Sequence, residues 1–452
     1  DAIEISYNNG SSVQTVTRDV QGTASNSAVL TISDGPTYDF GTVVVSSNNE
    51  HSFTVDNTGG VTATAISGVA LSAPYSFKGG SFPGTGGTCG ATLAAAASCS
   101  VVVAYDPVTT GATSDTFQIN YNDGTGPQNV SVGVQGTAAT VALLTISDGP
   151  TYDYGLKAVG STNDHTFTVE NTGGVDATTL SGSGLAAPFN FKGGSYPGTG
   201  GTCGVTLAPS TNCTVIVTYA PTVAGTHNDT LTINYNDGAA AQSVDRDLQG
   251  QGAAAAFLSI GDGPIFDYGT IAVGSTAEHV FSVTNTGGLS ATTITGTGLA
   301  APFSFKGGSY PGTGGTCSVS IGPAASCNIV VTYSPLAASS HTDTIQLDYS
   351  SGIGPNSAFR DVQGSGATAA VINISDSPIY NYGTLATGSS ADHSFTLTNA
   401  GGVSATSLAA SGLAAPYTFK GGSYPGTGGT CATSLAASAT CTIIVTYSPV
   451  TT

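Results

Sequence analysis

The stretch Lys192-Gly-Gly-Ser-Tyr-Pro-Gly-Thr-Gly-Gly-Thr-Cys203 decides the fold of this chain, because the sequence contains it four times. The other copies begin at Lys78, Lys306 and Lys420, at a constant step of 114 residues, and the first copy has Phe82 in place of Tyr. The motif Asn-Thr-Gly-Gly keeps the same step, with Ala for Thr in its last copy. Self-similarity at a fixed period indicates a chain of tandem structural units.

The repeats also predict the domain boundaries. Residues 1–25 match residues 115–139, which form the closing hairpin of a repeat. We therefore predict a closing hairpin at 1–25, whole repeats at 26–139, 140–253 and 254–367, and a repeat without its closing hairpin at 368–452. Because the connecting segments are only a few residues long, we expect neighbouring repeats to abut and to lie end to end.

Apolar and polar residues alternate within each repeat. Val215, Val217 and Tyr219 alternate with neighbours that include two threonines, and Leu231 and Ile233 flank another threonine. Such alternation, bounded by Gly, Pro and Asn, is typical of half-buried antiparallel strands, and no segment shows a sustained helical period. A unit of roughly 110 residues with about seven strands has the size of an immunoglobulin-like domain. We predict an all-β chain of tandem immunoglobulin-like β-sandwiches.

The cysteines occur as one pair per repeat, ten residues apart: Cys89 and Cys99, Cys203 and Cys213, Cys317 and Cys327, Cys431 and Cys441. We expect Cys203, Val205 and Leu207 to share one strand face, and a turn to bring Cys203 opposite Cys213. Two thiolates without a nearby His cannot supply the four ligands of zinc, so a disulfide is the better interpretation. A disulfide that closes so short a loop stabilises a fold by roughly 2.5–3 kcal/mol in the loop-closure model. Disulfides in every repeat imply export from the cytoplasm.

Composition excludes several functions. The net charge is −19, with 27 acidic residues against eight Lys and Arg, so we expect no binding to nucleic acid and no attraction to anionic membranes. No apolar run of 18 residues is present, so we expect no insertion into a membrane. The sequence also predicts no cofactor.

The motifs Thr284-Asn-Thr-Gly-Gly288, Cys-x₉-Cys and Cys213-Thr-Val-Ile-Val-Thr-Tyr-Ala-Pro221 resemble a known family. The chain is similar, over all its repeats, to bacterial surface proteins of the choice-of-anchor D type, whose repeats are related to the abnormal-spindle/hydin immunoglobulin-like domains. This resemblance implies a large exported modular protein that serves as a stalk, adhesin or fibre, and it supplies no catalytic residues.

The glycine-rich block is a candidate contact loop. Its Lys precedes the glycines and a strand follows it, whereas a phosphate-binding P-loop ends with Lys and leads into a helix. One interpretation is a tight loop folded over the end of its own sandwich. The alternative is contact with a neighbouring fibre or with a glycan, through Lys192, Tyr196, Lys306 and Tyr310.

Lys192 also suggests an intramolecular isopeptide crosslink, for which Asp153 and Asn171 are the candidate partners. The alternative is an exposed Lys whose aliphatic stem covers apolar surface. We favour the exposed Lys, because the disulfide already staples each repeat.

Paired acids recur, as Asp148 and Asp153 in the second repeat. Two carboxylates could contribute to a calcium site, which takes six to eight oxygen ligands. The alternative is turn formation by Asp-Gly-Pro, which we favour, and we predict no metal site. A His preceded by an acid also recurs, as in Asp164-His165, and we interpret it as a polar residue at a strand start.

We predict that the chain is not an enzyme. It has no Gly-x-Ser-x-Gly elbow and no His-Glu-x-x-His motif. Catalytic groups tend to occur once in a chain, whereas every distinctive feature here occurs three or four times. The leading hypothesis is a structural component of an extracellular bacterial stalk, filament or adhesin. The alternatives are a multivalent glycan- or partner-binding adhesin and a spacer of a larger secreted enzyme.

The two ends of the chain allow two interpretations. In one, the chain is a window on a longer polypeptide that continues the missing strands. In the other, it is a complete subunit whose hairpin, through Ile3, Ile5 and Tyr7, fills the open sandwich of the next subunit by strand addition. The second interpretation makes the protein its own partner in a filament that does not close.

Overall fold

A computed structural model describes residues 1–452, and every regular element is a β-strand, which confirms the all-β prediction. Residues 1–25 contain β1 (Ala2–Asn8) and β2 (Val13–Asp19). The first repeat contains β3 (Leu30–Ile32), β4 (Thr37–Val44), β5 (Asn49–Asn57), β6 (Thr64–Gly68), β7 (Tyr75–Phe77), β8 (Ser98–Tyr105), β9 (Gly111–Asn122) and β10 (Pro127–Ala139). The second repeat contains β11 (Leu144–Ile146), β12 (Thr151–Ala158), β13 (Asn163–Asn171), β14 (Ala177–Ser183), β15 (Phe189–Phe191), β16 (Thr206–Leu207), β17 (Asn212–Tyr219), β18 (Gly225–Asn236) and β19 (Ala241–Ala253).

The remaining strands belong to the third and fourth repeats. The third repeat contains β20 (Leu258–Ile260), β21 (Ile265–Ala272), β22 (Ala277–Asn285), β23 (Ala291–Thr297), β24 (Phe303–Phe305), β25 (Ser320–Ile321), β26 (Ser326–Tyr333), β27 (Ser340–Ser350) and β28 (Pro355–Ala367). The fourth contains β29 (Ile372–Ile374), β30 (Ala391–Asn399), β31 (Ala405–Thr406), β32 (Tyr417–Phe419), β33 (Ser434–Leu435) and β34 (Thr440–Tyr447).

The chain divides into two compact units, and the division falls within the second repeat. One unit comprises residues 1–153, 163–219 and 228–249. The other comprises residues 154–162, 220–227 and 250–452. The first unit therefore holds the whole first repeat, and the second unit holds the whole third and fourth repeats.

Each whole repeat is a sandwich of two sheets. In the first repeat the sheets have the strand orders β3-β5-β8-β7 and β4-β10-β9-β6, and in the third β20-β22-β26-β24 and β21-β28-β27-β23-β25. The last two strands of each repeat pair as an antiparallel hairpin, and the final strand also pairs in parallel with β4 or β21. The closing hairpin thus occupies the middle of the second sheet.

Alternating residues form the cores as the sequence predicts. Val215, Val217 and Tyr219 are fully buried along β17, as are Leu231 and Ile233 along β18. The expectation that Val205 shares this inward face is wrong. Only Thr206–Leu207 form a strand there, and the Val205 side chain is 69% exposed, because the chain between the cysteine and this short strand is irregular.

At each repeat boundary, one residue is hydrogen-bonded to the preceding sandwich and the next residue is hydrogen-bonded to the following sandwich. The carbonyl of Ala139 accepts from the N–H of Val45 at 3.0 Å, and the carbonyl of Thr140 accepts from the N–H of Gly174 at 3.3 Å. The same pattern joins Ala253 to Val159 and Ala254 to Gly288, and joins Ala367 to Val273 and Thr368 to Gly402. Between these two residues, the linker therefore contains no residue that lacks a hydrogen bond to one of the two repeats that it joins.

The turn of the closing hairpin also touches the preceding repeat. Gly238 has φ +95°, and a Cβ there would lie 2.8 Å from a methyl group of Val44. In the other unit, a Cβ on Gly352 would lie 3.6 Å from that of Ala158, which belongs to the repeat before. Glycine suits this turn for two reasons: it adopts a positive φ without strain, and it has no side chain to collide with the preceding repeat.

The fourth repeat lacks this second sheet. Residues 379–386 form no strand, although β21 occupies the equivalent place in the third repeat, and β31 pairs only with β33. Ile374 is 53% exposed, whereas its equivalent Ile260 is 2% exposed. Tyr417 is 39% exposed, whereas its equivalent Phe303 is 1% exposed. One face of the fourth core is therefore open.

One buried asparagine holds the loops of each repeat together. Asn285 donates from Nδ2 to the carbonyls of Leu289 and Ile321, at 2.7 and 3.0 Å. Its Oδ1 accepts from the N–H groups of Phe257 and Gly287, at 3.1 and 3.0 Å. The equivalent residues Asn57, Asn171 and Asn399 are buried in the same way. This role explains the Asn of the Asn-Thr-Gly-Gly motif.

Replacing Asn285 by Ala should destabilise the third repeat. The substitution leaves buried carbonyl and N–H groups unpaired, which costs on the order of 3 kcal/mol or more. One calorimetric unfolding transition should fall by about 10 °C or more. The control is Asn328→Ala on the exposed face of β26, which should leave every transition within about 2 °C, as expected for a surface change. Equal shifts in the two variants would contradict this role.

Candidate functional site

The glycine-rich loop, residues 192–203, folds against its own sandwich. The N–H of Lys192 donates to the carbonyl of Ile216 at 3.0 Å, and the N–H of Ile216 donates to the carbonyl of Pro197 at 2.8 Å. Gly198 has φ +90°, and the carbonyl oxygen of Ile216 occupies the space that a Cβ on Gly198 would need. The loop therefore runs alongside β17 as a tightly bonded element, and the third and fourth repeats contain the same bonds at Lys306 and Lys420.

Tyr196 of this loop packs inward. Its ring contacts Phe191 edge to face at 5.8 Å, and a Cβ on Gly182 would lie 2.5 Å from the ring. Burial raises the pKa of Tyr196 to about 12, and its hydroxyl has no hydrogen-bond partner. The equivalent Tyr310 donates to the carbonyl of Ser318 at 3.2 Å. These rings extend the core beneath the loop.

The lysine that opens each loop pairs with an acid. Lys192 Nζ lies 2.9 Å from Asp164 Oδ2, and Lys306 Nζ lies 2.7 Å from Glu278 Oε2. Both side chains of each pair are about 40% exposed, which is typical of a surface ion pair worth little stability. Asn171, one of the two candidate partners of the disfavoured isopeptide crosslink, donates to the carbonyls of Val175 and Leu207.

The acid that pairs with Lys is the residue before the repeated His. The sequence displays this pattern, as in Asp164-His165, but does not show that it faces the loop. Thr218 also donates to Asp164 Oδ1, at 2.6 Å. Hydrogen bonds from Thr218 and Lys192 lower the pKa of this carboxyl.

The repeated His pairs with the first acid of the Asp-Gly-Pro turn. His165 Nε2 lies 3.1 Å from Asp148 Oδ2, and the Tyr152 ring stacks on the imidazole at 3.7 Å. The Ser147 hydroxyl donates to the same carboxylate at 2.6 Å. The bonding order is therefore Ser–Asp–His, whereas a nucleophilic triad places His between Ser and Asp.

The paired acids of each repeat have different partners. In the first repeat Asp34 binds His51, whereas Asp39 accepts from Gln135 at 2.9 Å and from the N–H of Gly41 at 2.7 Å. In the second repeat Asp148, one of the two candidate calcium ligands, binds His165. No group of three or more His, Cys, Asp and Glu residues could hold a metal ion.

The four cysteine pairs are joined: Cys89–Cys99, Cys203–Cys213, Cys317–Cys327 and Cys431–Cys441, with Cα atoms 4.8 Å apart in every pair. No cysteine is free. Each disulfide fixes the end of the glycine-rich loop to the strand beside it. The chain contains no helix with the length and apolarity that crossing a bilayer requires.

The hairpin of residues 1–25 buries none of its apolar side chains. β1 and β2 pair only with each other, from Ala2 opposite Asp19 to Asn8 opposite Val13. Ile3, Ile5 and Tyr7 are 54%, 58% and 52% exposed. This hairpin presents an apolar face without a core to cover it.

The open face of the fourth repeat forms the second unfilled surface. We call it the open groove, a cavity of about 680 Å³ whose lining includes Ile374, Tyr380, Phe395, Tyr417 and Val445. In the first and third repeats the closing hairpin fills this place. These two surfaces lie in the segments for which the repeat pattern predicts a closing hairpin, at 1–25, and a repeat without one, at 368–452.

The protein-family comparison matches two repeats. A family model described as HYDIN/CFA65/VesB-like, Ig-like domain, matches residues 30–137 and residues 147–251. A search of curated proteins found no match.

Solved structures with immunoglobulin-like folds resemble the chain only partly. The VesB protease of Vibrio cholerae is 21% identical, with 24% of this chain and 31% of that chain covered and a TM-score of 0.21. The I-band fragment I67-I69 of titin is 9% identical, with 76% and 99% covered and a TM-score of 0.27. The human CEP192 ASH/PapD-like domain is 19% identical, with 25% and 88% covered and a TM-score of 0.20. Because all three TM-scores lie below 0.5, none of these likenesses bears on the function of this chain.

Acid should destabilise the second repeat through Asp148. Its hydrogen bond from Ser147, followed by that with His165, lowers the pKa of this carboxyl below that of an ordinary aspartate. A depressed carboxyl pKa contributes stability above the unfolded-state pKa, and this stability is lost as the pH falls through the folded-state pKa. The melting temperature should therefore drop between about pH 5 and pH 2.

Ser147→Ala should make that acid-dependent drop smaller, because it removes the hydroxyl that lowers the pKa of Asp148. Asp148→Asn should do the same, because it removes the carboxylate itself. The control is Ser47→Ala, whose hydroxyl donates to the carbonyl of Val44 and touches no carboxylate. A pH profile that is unchanged in Asp148→Asn would refute the assignment.

Proposed function

We propose that this chain is a structural component of an extracellular bacterial stalk, filament or adhesin, because residues 30–137 and 147–251 match the HYDIN/CFA65/VesB-like, Ig-like domain model and their landmarks recur through residue 452. Its task is to hold sandwiches in series. Tandem sandwiches with one disulfide each support the structural part of this proposal.

The bonding at the repeat boundaries carries the proposal. Ala139 and Thr140 are adjacent residues whose carbonyls are held by different sandwiches, and the later boundaries repeat the pattern. A flexible tether needs several residues that neither domain binds. A boundary without such residues passes force and orientation from one sandwich to the next, as a stalk requires.

The disulfides support the extracellular location. Structural disulfides persist in oxidising compartments and are rare in the cytosol. The pairing repeats in all four units, so the chain depends on oxidation along its whole length. We assign the chain to the bacterial cell surface on this ground together with the resemblance of its motifs to surface proteins.

We also infer that the chain has no catalytic activity of its own. In the Ser–Asp–His bonding order the Ser147 hydroxyl donates to the Asp148 carboxylate, which is not the arrangement of a nucleophilic triad, where Ser donates to His. Its equivalents Ser33 and Ser375 donate to the neighbouring Asp in the same way. A group that serves the same local bonds in several repeats is part of the scaffold.

Strand complementation is the way in which we propose that subunits join. The hairpin of residues 1–25 has an exposed apolar face, and the open groove has an exposed core. Addition of strands to an incomplete sheet is a known mode of protein assembly. A head-to-tail union of this kind extends a filament without closing it.

The glycan-binding alternative has less support. Aromatic rings that bind sugars need an accessible face, whereas Tyr196 packs against Phe191 and the backbone of Gly182. Lys192 is engaged by Asp164. The spacer hypothesis, in which a larger secreted enzyme contains these repeats, shares the structural role and differs only in what the chain is attached to.

Antibodies raised against the 452-residue chain should label intact cells of the source bacterium without permeabilisation. A cytoplasmic protein of the same cells serves as the control and should be labelled only after permeabilisation. The purified chain should bind no glycan on an array. Labelling that needs permeabilisation would contradict the surface role, and glycan binding that is lost in Tyr196→Ala would favour the adhesin alternative.

A further inference from the structure

We propose that the open groove of the fourth repeat binds the hairpin of residues 1–25 from a second copy of this chain, in the register that the closing hairpin has in a whole repeat. This inference rests on the proposed function and specifies the partner, the register and the contacts of the joint. In the third repeat the closing hairpin fills the equivalent groove, with β28 and β27 between β21 and β23.

The backbone of the groove is unpaired on both sides of the gap. In the third repeat β28 pairs in parallel with β21, with Val362 opposite Phe266, and β27 pairs with β23, with Asp348 opposite Thr295. The equivalent segment 379–386 forms no strand, and β31 spans two residues where β23 spans seven. Two strands inserted between these segments would complete the sheet.

The hairpin has the register that the gap requires. Ile3 lies opposite Arg18 and Tyr7 opposite Gln14, which are the pairings of the third-repeat hairpin shifted by 342 residues. Transfer of the third-repeat pairing then places Ser6 opposite Ala409 and Val20 opposite Tyr380.

The apolar side chains of the hairpin match the missing part of the core. Ile3, Ile5 and Val20 are 54%, 58% and 43% exposed. Their equivalents in the third repeat are at most 1% exposed: Ile345, Leu347 and Val362. Docking would bury these three side chains against the exposed Ile374 and Tyr417 of the groove. Removing apolar surface from water on both sides supplies the main driving force.

A partly buried arginine gives the joint a specific polar contact. Arg360 donates to the carbonyl of Ile260, and Arg246 donates to the carbonyl of Ile146. The hairpin contains Arg18 at this position, whereas the first repeat has Val132. The equivalent acceptor in the groove is the carbonyl of Ile374. The hairpin therefore has Arg at the position where the second and third repeats have the arginine that makes this bond.

A tyrosine gives a second polar contact. The Tyr349 hydroxyl accepts from the N–H of Leu258 at 3.2 Å, and the first two repeats have the equivalent bond at their own tyrosines. The hairpin has Tyr7 at this position, and the equivalent donor is the N–H of Ile372. Two polar contacts and three apolar ones therefore specify one register.

Self-association of the 452-residue chain tests the joint directly. Light scattering should show a mass that rises with concentration and does not stop at a dimer, because donor and acceptor surfaces differ. Ile5→Asp places a charge in the joint and should weaken association by at least about 100-fold, because an unpaired buried charge is strongly unfavourable. Ile5 is exposed in the free hairpin, so this variant leaves the fold of the unassembled chain intact.

The matched control is Thr17→Asp on the opposite face of the same hairpin. The equivalent positions Asp245 and Phe359 are exposed, and the second repeat already has Asp there. This variant should associate within about two-fold of the parent chain. A parent chain that stays monomeric would overturn the proposal, as would equal loss in both variants.

Disulfide trapping between two copies tests the register. A Ser6→Cys chain mixed with an Ala409→Cys chain should form a crosslinked dimer, because directly opposed antiparallel residues lie within disulfide range. A Ser411→Cys chain, two residues out of register, should crosslink far more slowly. Failure of the first pair, or preference for the second, would overturn the register.

Self-association that persists while surface labelling fails would remove the extracellular role alone, so the two proposals fail separately.

Discussion

Insertion of a closing hairpin into the second sheet is the interaction on which every sandwich of this chain depends. In the third repeat β27 and β28 lie between β21 and β23, and they contribute the fully buried Ile345 and Leu347 to the core. Without the hairpin, β21 has no partner, β23 keeps only the short strand β25, and the core has no cover. The fourth repeat displays that state, since Ile374 is exposed and no strand forms over residues 379–386. Backbone pairing and apolar burial are therefore completed together by one element.

The other recurring features act locally within each sandwich. The buried asparagine satisfies N–H and carbonyl groups of three loops, and the disulfide fixes the glycine-rich loop to the strand beside it. The Ser–Asp–His cluster joins the Asp-Gly-Pro turn to the strand that bears His. Each of these features secures a loop that the sheets do not hold. Because the same local contacts recur in each repeat, the most repeated residues are structural.

Features that depend on short-range pattern were predictable from the sequence, and features that depend on contacts between distant segments were not. Alternation identified the buried faces of β17 and β18, and the cysteine spacing identified the disulfides, because both follow from positions close in sequence. The partner of Lys192 was missed because Asp164 is 28 residues away and only the folding of the glycine-rich loop brings them together. Asp148 was paired with its sequence neighbour Asp153, whereas it binds His165 on another strand. Val205 was placed inside because alternation was extended beyond the end of a two-residue strand.

Hydrogen exchange of residues 379–386 tests most directly whether the hairpin completes each sandwich. The Ile5→Asp chain provides the unassembled reference, and residues 265–272 of the same chain, which pair with β28, provide the internal standard. The amides of residues 379–386 should exchange rapidly in the Ile5→Asp chain and should slow, in the assembled parent chain, to the rate of residues 265–272. Slow exchange of residues 379–386 in the unassembled chain, or no change on assembly, would contradict the account.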